Sequence, residues 1–108
     1  MPVVTITAPD AGDTTVLVAE VAERMAAALE LAPDDVIALH LPTGASSVDT
    51  DPLRRSAWVI VAAHGSDRGE RTEPALAAAE DAVRRWASAA GLDLRGVWTE
   101  WVLPRAAG

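Results

Sequence analysis

Val3 to Thr7 is a short, β-branched run that Pro9-Asp10-Ala11-Gly12-Asp13 interrupts, which predicts a strand followed by a turn. From Thr14 to Leu31 the period lengthens. Leu17, Val21, Met25, Ala28 and Leu29 recur at i, i+4, i+8, i+11 and i+12, one face of an amphipathic helix. Asp13 or Thr14 is placed to cap its first turn, and Ala32-Pro33 to end it. Val36 to Leu41 predicts a second strand, closed by Pro42-Thr43-Gly44. A strand, a helix of this length and a strand imply a right-handed βαβ unit with a parallel strand pair.

Residues 42–56 carry Pro, Gly, Thr, Ser and Asp without periodicity and predict a linker. The pattern then restarts. Ala57 to Ala63 is a continuous apolar run (Trp58-Val59-Ile60-Val61), short enough for a buried strand, and His64 to Arg71 is a polar turn. Thr72-Glu73-Pro74 opens a helix with proline in its first turn, where a missing N–H costs little. Its apolar face is Leu76, Ala79, Val83, Trp86, Ala87 and Ala90, and Gly91 is the expected residue just past its end. Val97 to Leu103 predicts a last strand, with Val97, Thr99, Trp101 and Leu103 on one side and Trp98, Glu100 and Val102 on the other. The chain is thus read as an α/β (α+β) single domain spanning residues 1–108. Two tandem βαβ units, 2–41 and 57–103, form a four-stranded mixed sheet with both helices on one face. Periodicity leaves two packings open: the ferredoxin-like split βαβ, or two parallel-paired units set against each other. Either way one sheet face needs cover, and a second copy of the chain supplies it most simply.

Composition narrows the function classes. Half of the 108 residues are hydrophobic, and 9 basic against 16 acidic residues give a net charge of −7. That balance argues against a nucleic-acid partner, which requires a basic stripe. No apolar run approaches a membrane span of about 18 residues, and the start lacks a basic n-region, so the expectation is a cytoplasmic chain with no membrane partner. Without cysteine there is no disulfide or thiolate chemistry. Neither a Gly-x-Gly-x-x-Gly run nor a P-loop is present, so no cofactor is expected. His40 and His64-Gly65-Ser66 have neither a nucleophile elbow nor a third ligand at metal spacing, so no metal is expected either.

Met1-Pro2-Val3-Val4-Thr5-Ile6, then a polar turn, a helix and Ala32-Pro33-Asp34-Asp35-Val36, with the unit repeated in the second half, resembles the tautomerase superfamily. That family includes 4-oxalocrotonate tautomerase, macrophage migration inhibitory factor and cis-3-chloroacrylic acid dehalogenase. The resemblance spans the chain and implies a tautomerase-like fold, a homotrimer and an isomerase. In such an enzyme Pro2, freed by removal of Met1, is the catalytic general base for keto-enol tautomerisation of a 2-oxo or 2-hydroxy-enoic acid. The chemistry is consistent with that role. An α-amine has a pKa of about 8 in model peptides. Burial and nearby positive charge disfavour its cation, leaving a neutral amine that can take a proton from an enol and return it to carbon.

The resemblance also implies how a small carboxylate substrate is held. Arg68 lies ten residues on from Trp58, as an arginine lies ten after the proline in the family, whereas the first half has Gly12 at that step. Arg68-Gly69-Glu70-Arg71 is similar to the dehalogenase's Arg-x-x-Arg, and two guanidiniums can grip a carboxylate bidentately. Trp98 or Trp101 would wall the pocket, there being no Phe or Tyr, and Glu100 lies near the dehalogenase's water-activating glutamate. Three features depart from the pattern. Ile37 and Trp98 stand where the family has an arginine after the helix, and Leu29 stands in place of the dehalogenase's helix histidine. Arg54 and Arg55, near Asp49 and Asp51, read as linker charges, with a pocket role across a subunit boundary as the alternative. Other readings of the whole are a non-enzymatic ferredoxin-like or degenerate tautomerase-like binding or assembly module, and hydratase or decarboxylase chemistry on the same scaffold.

Overall fold

The computed structural model describes residues 1–44, 47 and 56–105; Arg54, Arg55, Asp49 and Asp51 lie outside the described residues. The elements are β1 (Val3–Ala8), α1 (Thr14–Leu29), β2 (Ile37–Pro42), β3 (Ser56–His64), α2 (Thr72–Ala89) and β4 (Asp93–Val102), with single 3-10 turns at Pro33–Asp35 and Gly69–Arg71. The sheet order is β2-β1-β3-β4. β1 and β2 are parallel, β3 and β4 are parallel, and β1 meets β3 antiparallel. The two parallel-paired units are therefore set against each other; the strands of a unit are not split as they are in the ferredoxin-like arrangement.

Alternation along the strands sorts the two faces. Val4, Ile6 and Ala8 of β1 and Val59, Val61 and Ala63 of β3 are buried against Leu17, Val21, Met25 and Leu29 of α1 and Leu76, Val83 and Trp86 of α2. Small residues at Ala26, Ala75, Ala79, Ala82 and Ala87 are buried in the same cluster, which lets the helices sit close to the sheet and to each other. Each large aliphatic side chain there contributes about 1.5–3 kcal/mol by leaving water. Exposed ion pairs such as Arg24–Asp81, which links the helices at 3.0 Å, contribute about 0–1 kcal/mol. Apolar burial therefore decides the packing. The opposite sheet face carries Ile37, Leu39, Leu41, Trp58, Ile60 and Trp98, all substantially exposed, and no described element lies over it. No helix among the described residues is long and apolar enough to cross a membrane.

Two boundaries differ from the sequence expectation by more than one residue. α1 stops at Leu29, two residues before Leu31, because Glu30 turns left-handed (φ 58°). Leu31 N–H then donates to Ala26 O (2.9 Å) and Glu30 N–H to Ala27 O (3.2 Å), a Schellman closure that tucks Leu31 against the core. β4 begins at Asp93, four residues before Val97, because its ladder follows β3 from Ser56 onward. A register shift between Ala57 and Trp58 lets the Trp58 ring lie on Gly96. The other signals hold locally. Asp13 Oδ1 accepts from the Thr15 and Val16 N–H groups, and Gly91 takes φ 71° just past α2.

A side chain in the left-handed region is disfavoured because its Cβ crowds the following carbonyl, so Glu30 is a point of local strain. Glu30→Gly and Glu30→Ala both lose the carboxylate but differ in the Cβ. Glu30→Gly should be the more stable of the two by about 1 kcal/mol in urea unfolding monitored by circular dichroism.

Candidate functional site

The antiparallel register pairs Val3 with His64, which sets Pro2 beside Gly65 where both strands run out. Proline suits this place, since a residue before the first ladder pair needs no N–H to donate. Its carbonyl accepts from the Ile37 N–H at 3.1 Å, and the Gly65 N–H donates to Val102 O at 3.1 Å. Met1 is 70% exposed, yet the Pro2 ring is fully buried. The chain dives into the protein at its second residue.

What surrounds the ring is set by one missing side chain. A Cβ on Gly65 would lie in contact with Pro2 Cα and Cβ at 3.4 Å and slightly too close to Trp101 Cζ2 at 3.3 Å. Gly65 does not have a positive φ; what it offers here is space. Trp101 Nε1 donates to both Gly65 O and Ser66 O at 3.2 Å, tying the indole to the loop. Strand alternation puts Trp101, paired with buried Ala63, on the helix-covered side, the side to which Pro2 belongs by its parity with Val4. Sequence reading missed Gly65 as a structural element of this site. The histidine beside it drew attention to catalysis, whereas its own signal is a glycine at a strand end with no left-handed turn.

The loop after Gly65 carries the two arginines. Asp67 Oδ1 accepts from the Gly69 N–H at 2.8 Å, and Gly69 takes φ 58°, so the chain tightens into a 3-10 turn and then α2. Arg68, at the start of that turn, is half-buried, and its buried Nε has no hydrogen-bond partner. Arg71, one turn on, is exposed and paired with Glu30 at the end of α1. The loop that carries both arginines leaves the sheet at its Pro2 end; Arg68 has an unpartnered Nε, and Arg71 is engaged by a carboxylate that the sequence did not single out.

Trp98 and Glu100 go elsewhere. Trp98 pairs with Ile60 and Ile60 with Thr7, five residues along β1 from Pro2, or about 16 Å at the usual strand rise. It is 61% exposed on the uncovered face. Glu100 pairs with Ala62, which pairs with Thr5, and is exposed on that same face. Within one chain the structure gathers Pro2, Trp101 and the Arg68–Arg71 loop, and leaves Trp98 and Glu100 on the far side of the sheet. Ile37 contributes its backbone N–H to Pro2, with its side chain on the uncovered face. His40 Nε2 lies 3.0 Å from Ala8 O, and no three His, Asp or Glu among the described residues converge in a way that would hold a metal.

No protein-family model and no curated protein sequence matches the chain. Solved structures do match. The chain is similar to a fused 4-OT that forms an asymmetric trimer (13% identity, covering 98% of this chain and 90% of that one, TM-score 0.69). It is also similar to macrophage migration inhibitory factor of Toxoplasma gondii (17% identity, 98% and 96% coverage, TM-score 0.69). A third likeness is to malonate semialdehyde decarboxylase (13% identity, 98% and 90% coverage, TM-score 0.64). All three are tautomerase-superfamily proteins. At these identities the likeness is one of architecture, and it runs nearly end to end: the paired βαβ units described above are the tautomerase-superfamily fold.

Proposed function

We propose that this protein is a tautomerase-type isomerase that uses Pro2, once Met1 is removed, as the general base in keto-enol interconversion of a 2-oxo or 2-hydroxy-enoic acid. The observation that carries this reading is the placement of Pro2: fully buried directly after an exposed Met1, beside Gly65, which Trp101 also approaches, at the sheet end from which the Arg68 loop leaves. Loss of Met1 converts the Pro2 amide into a secondary amine held rigidly by its ring and by the Pro2 O–Ile37 N–H bond. Burial disfavours the ammonium form, and the neutral amine takes the enol proton and delivers it to carbon.

Arg68 supplies the counter-charge. Its Nε is desolvated and unpartnered, and a guanidinium in that condition gains most from a carboxylate, which it meets with charge-assisted hydrogen bonds. The same positive charge stabilises the enolate-like transition state. Arg71 serves the substrate only after giving up Glu30, so its part is secondary. Trp101 forms the apolar wall beside the proline. Because the molecule as a whole carries −7, attraction of an anion rests on these local guanidiniums.

The apolar sheet face supports a homotrimer, and the similar fused 4-OT proteins are trimers. Association through that face covers Leu39, Leu41, Ile60 and Trp98, and it is the route by which Trp98 or Glu100 of one copy reaches the substrate of another.

Three outcomes test this reading. In protein whose intact mass lacks one methionine, Pro2→Ala should lower kcat/KM for phenylenolpyruvate ketonisation by at least about 100-fold with an unchanged circular dichroism spectrum; retained turnover removes the proline from the chemistry. Arg68→Ala should raise KM by roughly ten-fold or more, the scale of one charge-assisted hydrogen bond, with a smaller effect on kcat, and an unaltered kcat/KM would exclude it from the site. Sedimentation equilibrium should give three times the 11.3 kDa chain, and Leu39→Asp with Ile60→Asp should shift it to the monomer.

A further inference from the structure

Helices α1 and α2 run side by side in opposite directions, and their two junctions differ. Next to Pro2 the end of α1 is bridged to the start of α2 by Glu30 and Arg71. At the other end, where α1 starts and α2 finishes, the helices leave a cleft of about 400 Å³. Leu17 and Trp86 line its buried part, with Gly12, Val16, Arg85 and Ala89 around them. The volume is within the range that small-molecule sites use, and so is the mainly apolar lining.

One polar atom in this cleft is unaccounted for. Trp86 is only 6% exposed, and its Nε1–H has no hydrogen-bond partner. Buried donors are costly to leave unpaired, and an indole N–H can only donate. The backbone packed beside it is a glycine, and the nitrogen itself is shielded from solvent. Gly12 takes φ 60°, and a Cβ there would lie 3.4 Å from Trp86 Nε1 and 2.8 Å from Ala90 Cβ. Any other residue at this position would crowd the donor and collide with Ala90, just past α2.

The charges around the cleft are already committed. Asp13 Oδ1 caps α1 through the Thr15 and Val16 N–H groups, Glu20 pairs with Arg24, and Arg85 pairs with Asp81. Two carboxylates line the cleft against one guanidinium, which disfavours an anion. With each of these charges already paired, none is left to hold a cation, and the mainly apolar lining favours an uncharged occupant that offers one acceptor to the indole.

We propose that this cleft is a second binding site, independent of Pro2, for a neutral planar small molecule whose carbonyl oxygen accepts from Trp86 Nε1. It lies at the C-terminal end of β1, whereas Pro2 lies at its N-terminal end, about 20 Å away at the usual strand rise.

The test uses 1-indanone and two-dimensional ¹H–¹⁵N spectra of the full chain, with the Trp86 indole resonance assigned by its loss in Trp86→Phe. Titration should shift that resonance saturably, together with the Val16 and Ala89 amides. Trp86→Phe, which keeps an aromatic ring but removes the donor, should weaken binding read at Val16 and Ala89 by about five-fold, the scale of one neutral hydrogen bond. Ala89→Trp, an exposed position that fills the mouth without touching the core, should abolish it. The Trp86 shift should persist unchanged in Pro2→Ala, whatever that variant does to turnover. An indole resonance that does not move, equal affinity in Trp86→Phe, undiminished binding in Ala89→Trp, or loss of the Trp86 shift in Pro2→Ala would each overturn the proposal.

Discussion

The antiparallel pairing of β1 with β3 is the constraint on which the rest of the molecule depends. Each βαβ unit alone has a parallel strand pair and one helix, too little to bury its own apolar face. Joining the units through β1 and β3 merges Val4, Ile6 and Ala8 with Val59, Val61 and Ala63 into one floor, which both helices cover. The antiparallel sense also has a chemical consequence. It brings the first residue before β1 next to the first residue after β3, so Pro2 and Gly65 become neighbours although 63 positions separate them.

Around that junction each contact depends on a small backbone or a fixed ring. Gly65 leaves room for Pro2 and Trp101, and Trp101 in turn holds the Gly65 and Ser66 carbonyls. The loop those carbonyls begin ends in the tight turn that carries Arg68 and Arg71. Position is therefore transmitted from the strand ladder through an indole hydrogen bond to a guanidinium, and the arginines inherit their place from the sheet. The pairing of Arg71 with Glu30 adds a link to the end of α1, where the left-handed turn at Glu30 aims the carboxylate across the helix pair.

The duplication is imperfect, and the imperfections divide the labour. The loop after β3 carries Arg68 where the loop after β1 carries Gly12. At one end that leaves an unpartnered guanidinium nitrogen; at the other it leaves an indole N–H beside an apolar cleft. The same topological corner in the two units thus presents a charged donor in one case and, in the other, a neutral donor supplied by α2.

What could be read from the chain alone was local. The helix faces, the Asp13 cap, the stop after Ala90 at Gly91 and the restart at Ala57 all follow from neighbours within a few positions, where sterics and hydrogen bonds act directly. The opposite facing of Trp98 and Trp101 was legible too, because three steps along a strand reverse the side. Which side meets the helices was not, nor was the choice between split and adjacent strands, since both depend on pairing between segments far apart in sequence. The same reason hid the roles of Gly65 and Glu30. A glycine that leaves room and a carboxylate that engages Arg71 acquire those meanings only once the strand register and the helix packing have set their neighbours.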